Sequence, residues 1–285
     1  MITAKTAALP LKTAERLIKL PDGIKRNELC ELRLRMGRTA TAVTISGRNV
    51  ICSKPLTKQD IEACFQELCR YSVHSFQREI SEGYITLPKG HRAGFCGTAV
   101  IRGDGIETLR DISSINLRLA KEIKGCGEAL YHAVFGNKLR SLLIVGAPLS
   151  GKTTVLRDLT RLLGERYKVA LIDSRCELAA CHDGAPQLDV GLNTDVLSGY
   201  PRAEGMEIAL RTLSPEVIIC DEIGNDFSAI EQCIHCGVKL IATAHASSLD
   251  ELSKRHDTAG LVGSFDCIAV LCGKGQIAEL KGAAL

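Results

Sequence analysis

Residues 142–163 contain the segment that most constrains this chain: Leu142-Leu143-Ile144-Val145, then Gly146-Ala147-Pro148-Leu149-Ser150-Gly151-Lys152-Thr153-Thr154, then a stretch ending at Leu163. The middle part matches G-x-x-x-x-G-K-[ST] at every fixed position. The apolar run before it has strand length, and Val155, Leu156, Leu159, Leu162 and Leu163 recur after it at helical spacing. A strand that turns through a glycine loop into a helix aims successive backbone N–H groups and the helix N-terminus at one point, where they can hold an anion. On this reading Gly146, Ala147, Pro148, Leu149, Ser150, Gly151, Lys152, Thr153 and Thr154 are the nucleotide-binding loop of a nucleoside triphosphate site. Lys152 neutralises the β- and γ-phosphates, and the Thr153 hydroxyl ligates Mg²⁺. The expected ligands are ATP and Mg²⁺.

The rest of the composition describes an ordinary globular chain: 285 residues, 45% hydrophobic and 24% charged. Its 13 cysteines are an odd number scattered from Cys30 to Cys272, which suits reduced thiols inside a cell better than a disulfide framework. Cys233 and Cys236 form the only C-x-x-C, and no second ligand pair stands at zinc spacing, so the pair is expected on a helix rather than on a metal. No apolar run reaches the roughly 18–20 residues that span a bilayer. Lys5, Lys12, Glu15 and Arg16 interrupt the N-terminal apolar residues, so no secretory signal is expected. These features predict a cytoplasmic protein that remains free to dock on a membrane protein. Residues 1–137 carry 21 Lys+Arg against 14 Asp+Glu, and the remainder 15 against 19. A basic N-terminal half can meet nucleic acid, an acidic partner or a neighbouring subunit's triphosphate.

The first half reads as mixed α and β, with strands over 31–35, 41–46, 84–87, 91–102 and 112–120. Glycines at 94 and 97 are expected to bend the fourth of these. Thr57 can cap a helix bearing Ile61, Cys64, Phe65 and Leu68, and a second short helix covers 73–80. A further helix, 128–135, leads to Gly136-Asn137, the expected seam between domains 1–137 and 138–285. The second half alternates strand and helix, with strands over 141–145, 168–172, 216–220, 238–243 and 266–272. That alternation predicts a mostly parallel sheet flanked by helices.

Three strand ends carry polar groups. Val217-Ile218-Ile219-Cys220 is followed by Asp221 and Glu222. Asp221 is placed to hold Mg²⁺, and Glu222 to orient and polarise the attacking water, although two acids can also cap a helix. Thr243-Ala244-His245 ends another strand, and a threonine and histidine there can sense a γ-phosphate; a lone histidine is otherwise structural. Asp173-Ser174-Arg175-Cys176-Glu177 ends a third and makes Glu177 a second candidate base, though an exposed charged turn accounts for the segment nearly as well.

The order of phosphate loop, acidic segment 173–177, Asp221-Glu222 and Thr243-Ala244-His245 resembles the secretion and pilus ATPases of the RecA-like P-loop class. The chain is more specifically similar to the stage III sporulation protein AA family. That similarity rests on P-Q-L-D-V-G (186–191), T-D-V-L (194–197), G-M-E (205–207) and R-T-L-S-P-E-V-I-I-C-D-E-I-G (211–224). In the first half it rests on E-L-R-L-R-M-G-R (31–38), G-Y-I-T-L (83–87), G-H-R-A-G (90–94) and R-D-I-S-S-I-N-L-R-L-A (110–120). Two positions depart from the family pattern: Ser174 stands where an acid is usual, and Asn193 where an arginine is frequent.

The resemblance implies a RecA-like P-loop ATPase domain preceded by a smaller α+β N-terminal domain, acting as a motor in the mother-cell cytoplasm. It implies hexameric rings and docking on the membrane proteins of a channel joining mother cell and forespore. It also implies that an arginine of one N-terminal domain can reach the γ-phosphate of the next subunit, with Arg92 and Arg118 favoured over Arg110, although solvated strand-edge arginines account for each position equally well. Such an arginine is worth about 10³–10⁵ in rate. Arg211, just before the acidic strand, is a candidate within the same subunit. Two other readings stand beside the motor. One is a nucleotide-gated scaffold with little hydrolysis. The other is a nucleic-acid-dependent ATPase, disfavoured because the chain has no Trp and only 4% aromatic residues for stacking on bases.

Overall fold

The computed structural model of the chain describes residues 12–103, 105–136, 138–224, 226–254 and 263–282. Two compact units divide it, Met1–Lys121 and Glu122–Leu285. The boundary therefore precedes the expected seam at 136–137, and the reason is the helix between them. Leu130, Tyr131, Val134 and Phe135 of that helix are buried in the second unit's core beside Leu142, Leu156 and Leu159. A helix with so much buried apolar surface belongs to the core it fills.

The first unit comprises α1 (Lys12–Leu17), β1 (Leu29–Arg35), β2 (Thr39–Thr44), β3 (Asn49–Pro55), α2 (Lys58–Leu68), α3 (Gln77–Ser81), β4 (Tyr84–Thr86), β5 (Arg92–Arg102) and β6 (Gly105–Arg118). Its six strands form one antiparallel sheet in the order β3-β2-β1-β6-β5-β4. Alternation sorts the side chains by face. Leu32, Leu34, Ala42, Ala93, Phe95, Ile115 and Leu117 are buried together with Ile61, Cys64, Phe65 and Leu68 of α2. Glu31, Arg33, Arg35, Arg92, Asn116 and Arg118 alternate with them and none is buried. The α2 helix starts where the sequence places it: Thr57 and Asp60 make a reciprocal capping box, with Asp60 N–H donating to Thr57 Oγ1 at 3.2 Å and Thr57 N–H to Asp60 Oδ2 at 2.7 Å. Gly97 marks a shift in the β5–β6 register between Cys96 and Thr98, and a Cβ there would lie 2.6 Å from the Arg110 carbonyl oxygen.

His91 gives this unit a pH dependence. Its Nδ1 accepts the Ala120 N–H at 3.0 Å, and burial, assisted by Lys89 and Lys121, lowers its pKa from 6.5 to about 4. The folded unit holds the ring neutral, so its stability is fully present above about pH 6.5 and declines as the pH falls towards 4. The ring is partly solvated, so after solvent screening the loss is on the order of 1–2 kcal/mol. Thermal unfolding of the wild type and His91→Asn between pH 7.5 and 4.5 should show a shallower decline in the variant. Equal slopes would exclude the ring as a source.

The second unit comprises α4 (Glu128–Phe135), β7 (Leu142–Gly146), α5 (Lys152–Gly164), β8 (Val169–Asp173), β9 (Thr194–Ser198), α6 (Arg202–Thr212), β10 (Val217–Cys220), α7 (Phe227–His235), β11 (Lys239–His245), α8 (Leu249–Lys254), β12 (Cys267–Gly273) and β13 (Gln276–Lys281). Its sheet has the order β13-β12-β7-β11-β10-β8-β9, parallel throughout except for the β12–β13 hairpin. The two faces form separate cores: Leu142 and Ile144 point towards α4 and α5, Leu143 and Val145 towards α6 and α7. Burial on both faces explains the unbroken apolar runs of the central strands. The edge strands β9 and β13 lack such runs, β13 being mostly exposed, and periodicity does not mark them. Cys233 of the C-x-x-C is buried in α7 and Cys236 caps its end, exposed.

Candidate nucleotide site

Parallel pairing brings the carboxyl ends of β7, β11, β10 and β8 to one edge of the second unit's sheet, where ligands of such sheets are held. From β7 the chain enters the glycine loop. Gly151 has φ +97°, and a Cβ on it would lie 2.7 Å from the Gly275 nitrogen, so no other residue fits. The Gly275 N–H donates to the Ser150 carbonyl at 2.8 Å, tying the β12–β13 turn to the loop. Two features fit the loop to a polyanion. No side chain caps the N-terminus of α5, and the Ser150 hydroxyl is buried without a hydrogen-bond partner. Leu149, at the apex, is fully exposed. Behind the loop, Cys126 Sγ lies 3.5 Å from the Thr154 carbonyl.

Lys152 is only 5% exposed. Its ammonium donates to the carbonyls of Gly146 at 2.8 Å and Ala147 at 3.0 Å, and lies 3.2 Å from His245 Nδ1. Burial lowers its pKa, and Asp221 and Glu222 pull the other way. Thr153 Oγ1 donates to Asp221 Oδ2 at 2.7 Å, and the Thr243 hydroxyl donates to Asp221 Oδ1. A hydroxyl and a carboxylate side by side are hard oxygen donors of the kind Mg²⁺ takes.

Adjacent residues on a strand point to opposite faces, so Asp221 and Glu222 would ordinarily diverge. The backbone prevents this. Glu222 adopts φ +52°, and its N–H donates to Thr243 Oγ1 at 2.8 Å and to Asp221 Oδ1 at 3.1 Å. A bulky residue in this region is strained and is held there by its surroundings. The turn sends the carboxylate to His245, whose Nε2 lies 2.9 Å from Glu222 Oε1. Lys152 can only donate, so Nδ1 is the accepting nitrogen and Nε2 carries the proton given to Glu222.

Residues 173–180 behave differently. Asp173 is buried, and its carboxylate accepts the N–H groups of Glu177, Leu178 and Ala179 at 2.8–3.1 Å. Arg157 of α5 donates to the carbonyls of Glu177 at 2.8 Å and Leu178 at 3.1 Å. Asp173 is thus committed to the turn, and Glu177 is bound into it through its backbone. Arg175 Nη1 lies 2.6 Å from Glu222 Oε2, a pairing that the sequence pattern does not announce.

The arginines separate. Arg211 ends α6, next to the start of β10 and so at the opposite edge of the sheet from the carboxylates. Its Nε lies 3.3 Å from the Glu207 carbonyl, and it lines a groove of about 430 Å³ with Leu210, Gln232, His235 and Cys236. Arg202, at the start of the same helix, is the α6 arginine near the acids, 3.0 Å from Asp226 and 3.5 Å from the Asp221 carbonyl. Sequence reasoning missed it, because only the helix direction decides which end faces the site. Arg92 and Arg118 are directly paired across β5 and β6 in the first unit, and the Arg92 guanidinium lies over the Tyr84 ring at 4.5 Å. No helix among the described residues is long and apolar enough to cross a membrane.

Among solved structures, the Legionella pneumophila ATPase DotB aligns over 85% of this chain and 72% of its own, with a TM-score of 0.55 and 18% identity. The pilus retraction motor PilT with bound ADP aligns over 85% and 74%, with a TM-score of 0.54 and 16% identity. The fold is that of the RecA-like secretion and pilus ATPases. Stage III sporulation protein AA of Bacillus subtilis (strain 168) is 38% identical over 236 residues, which are 80% of this chain and 76% of that protein. The family model described as "Sporulation stage III, protein AA" matches residues 9–284, and the chain belongs to that family.

Proposed function

We propose that this chain binds ATP with Mg²⁺ and hydrolyses it to ADP and phosphate, as the motor of a secretion-like channel complex between mother cell and forespore. The observation that carries this reading is the meeting of Lys152, Thr153, Asp221, Glu222 and His245 at one sheet edge. The loop N–H groups and Lys152 bind the phosphates, and Thr153 and Asp221 hold the metal. A Mg²⁺ bound there supplies charge neutralisation on the β- and γ-oxygens. Glu222 orients the attacking water and accepts its proton. His245, between Lys152 and Glu222, relays the state of the loop to the base.

A ring of these subunits, hexameric as in the resemblance, would let the arginine-bearing sheet face of one first unit serve the nucleotide of its neighbour. Arg92 and Arg118 are the candidates on that face. ADP bound to PilT and the ATPase designation of DotB agree with this use of the fold. On this reading the chain works in the cytoplasm and docks on the membrane proteins of the channel. The test is ATP hydrolysis by the purified protein across a concentration series, beside Arg92→Ala and Arg118→Ala. Specific activity should climb with concentration and fall in at least one variant. Tight ATP binding without turnover at any concentration would replace the motor with a nucleotide-gated scaffold.

A further inference from the structure

The Glu222 carboxylate is held from two sides. Arg175 Nη1 lies 2.6 Å from Oε2, while His245 Nε2 lies 2.9 Å from Oε1. With the 3.2 Å approach of Lys152 Nζ to His245 Nδ1, four side chains form a continuous chain from the phosphate loop to the turn after β8. Each comes from a different segment: α5, β11, the end of β10 and the 173–180 turn.

Arginine side chains on mobile surface turns are worth little as ion-pair partners. This turn is anchored, because the buried Asp173 carboxylate accepts three of its N–H groups and Arg157 holds two of its carbonyls. The Arg175 side chain is 61% exposed and the Glu222 side chain 22%, so the pair sits at the rim of the site with its carboxylate end the more withdrawn from water. The φ of +52° at Glu222 aims the Cα–Cβ bond but leaves the side-chain torsions free. A carboxylate that must meet a water in line with a phosphorus needs those torsions fixed, and misplacement by about 1 Å can cost 10²-fold in rate.

We propose that Arg175 is a positioning residue that fixes the Glu222 carboxylate in the orientation used to activate water. This rests on the reading of Glu222 as the base. The planar guanidinium defines a direction that an ammonium does not, so lysine should substitute only in part.

The test uses the full chain with Arg175→Ala, Arg175→Lys, Glu222→Gln and the double variant Arg175→Ala/Glu222→Gln. Three quantities are measured: kcat and KM for ATP, affinity for a fluorescent ATP analogue, and the nucleotide-free Tm. Arg175→Ala should lower kcat about 10–100-fold, with KM and analogue affinity within about twofold of wild type. Arg175→Lys should recover part of the loss, and the double variant should turn over no more slowly than Glu222→Gln alone. Without nucleotide, the Tm losses of the two single variants should fall short of additivity by about 2–4 °C, reporting the pair itself.

Wild-type kcat in Arg175→Ala, or additive Tm losses, would overturn the proposal. A raised KM with kcat intact would overturn it too, making Arg175 a substrate contact. Wild-type turnover in Glu222→Gln would overturn the reading of the base and the proposal with it. Loss of turnover in Glu222→Gln alone would overturn only the role of Arg175.

Discussion

Lys152→Ala is expected to weaken ATP binding by at least about 10²-fold and to remove measurable hydrolysis. The ammonium is the one cation inside the loop, 5% exposed, and its bonds to the Gly146 and Ala147 carbonyls hold it there. A hydrogen bond to a charged group is worth about 1.5–3 kcal/mol, which at the upper end is two orders of magnitude in affinity. Alanine also removes the buried charge that helps offset Asp221 and Glu222, leaving Glu222 with Arg175 as its cationic partner, so a polyanion would approach less well compensated carboxylates. The fold should survive, because the loop backbone is fixed independently by Gly275 and by the glycine at 151. Equilibrium binding of a fluorescent ATP analogue, beside thermal unfolding, decides the matter. An affinity within threefold of wild type in a folded variant would mean that the loop does not carry the phosphates.

Glu222→Gln is expected to separate binding from chemistry. The amide preserves shape and one acceptor oxygen but cannot take a proton, so turnover should fall about 10²–10⁴-fold, the range of general-base assistance. ATP affinity should stay within a few-fold, since Lys152, Thr153 and Asp221 keep their contacts. The variant would then hold ATP without consuming it. Single-turnover hydrolysis with a parallel binding measurement reads both quantities. Turnover near that of wild type would move the base elsewhere, with Glu177 the next carboxylate to replace.

The elements of the second unit were legible wherever the chain is buried on both faces. The runs at 142–145, 169–172, 217–220 and 240–242 are apolar throughout and became the central strands. β9 and β13 were not legible, because an edge strand needs no such run, and the domain boundary was misplaced because Gly136-Asn137 resembles a linker. The glycine loop, Thr153, Asp221, Glu222 and His245 could be named in advance from motif chemistry. Their meeting could not. A consecutive Asp-Glu pair diverges on a regular strand, and only the φ of +52° at Glu222, held by Thr243, turns both carboxylates to one site.

Local chemistry was written into the order of residues: a loop that only glycines can close, a helix that follows it, and acids at the ends of apolar strands. Those are properties of neighbouring residues and survive in any fold that forms the strand and helix. Which arginine serves which acid was decided by the tertiary structure alone. Arg202 and Arg211 lie on one helix, yet the packing of α6 against the sheet puts the first beside Asp226 and the second at the far edge. Arg175 meets Glu222 because parallel pairing of β8 with β10 brings two strand ends, 47 residues apart in sequence, to the same edge.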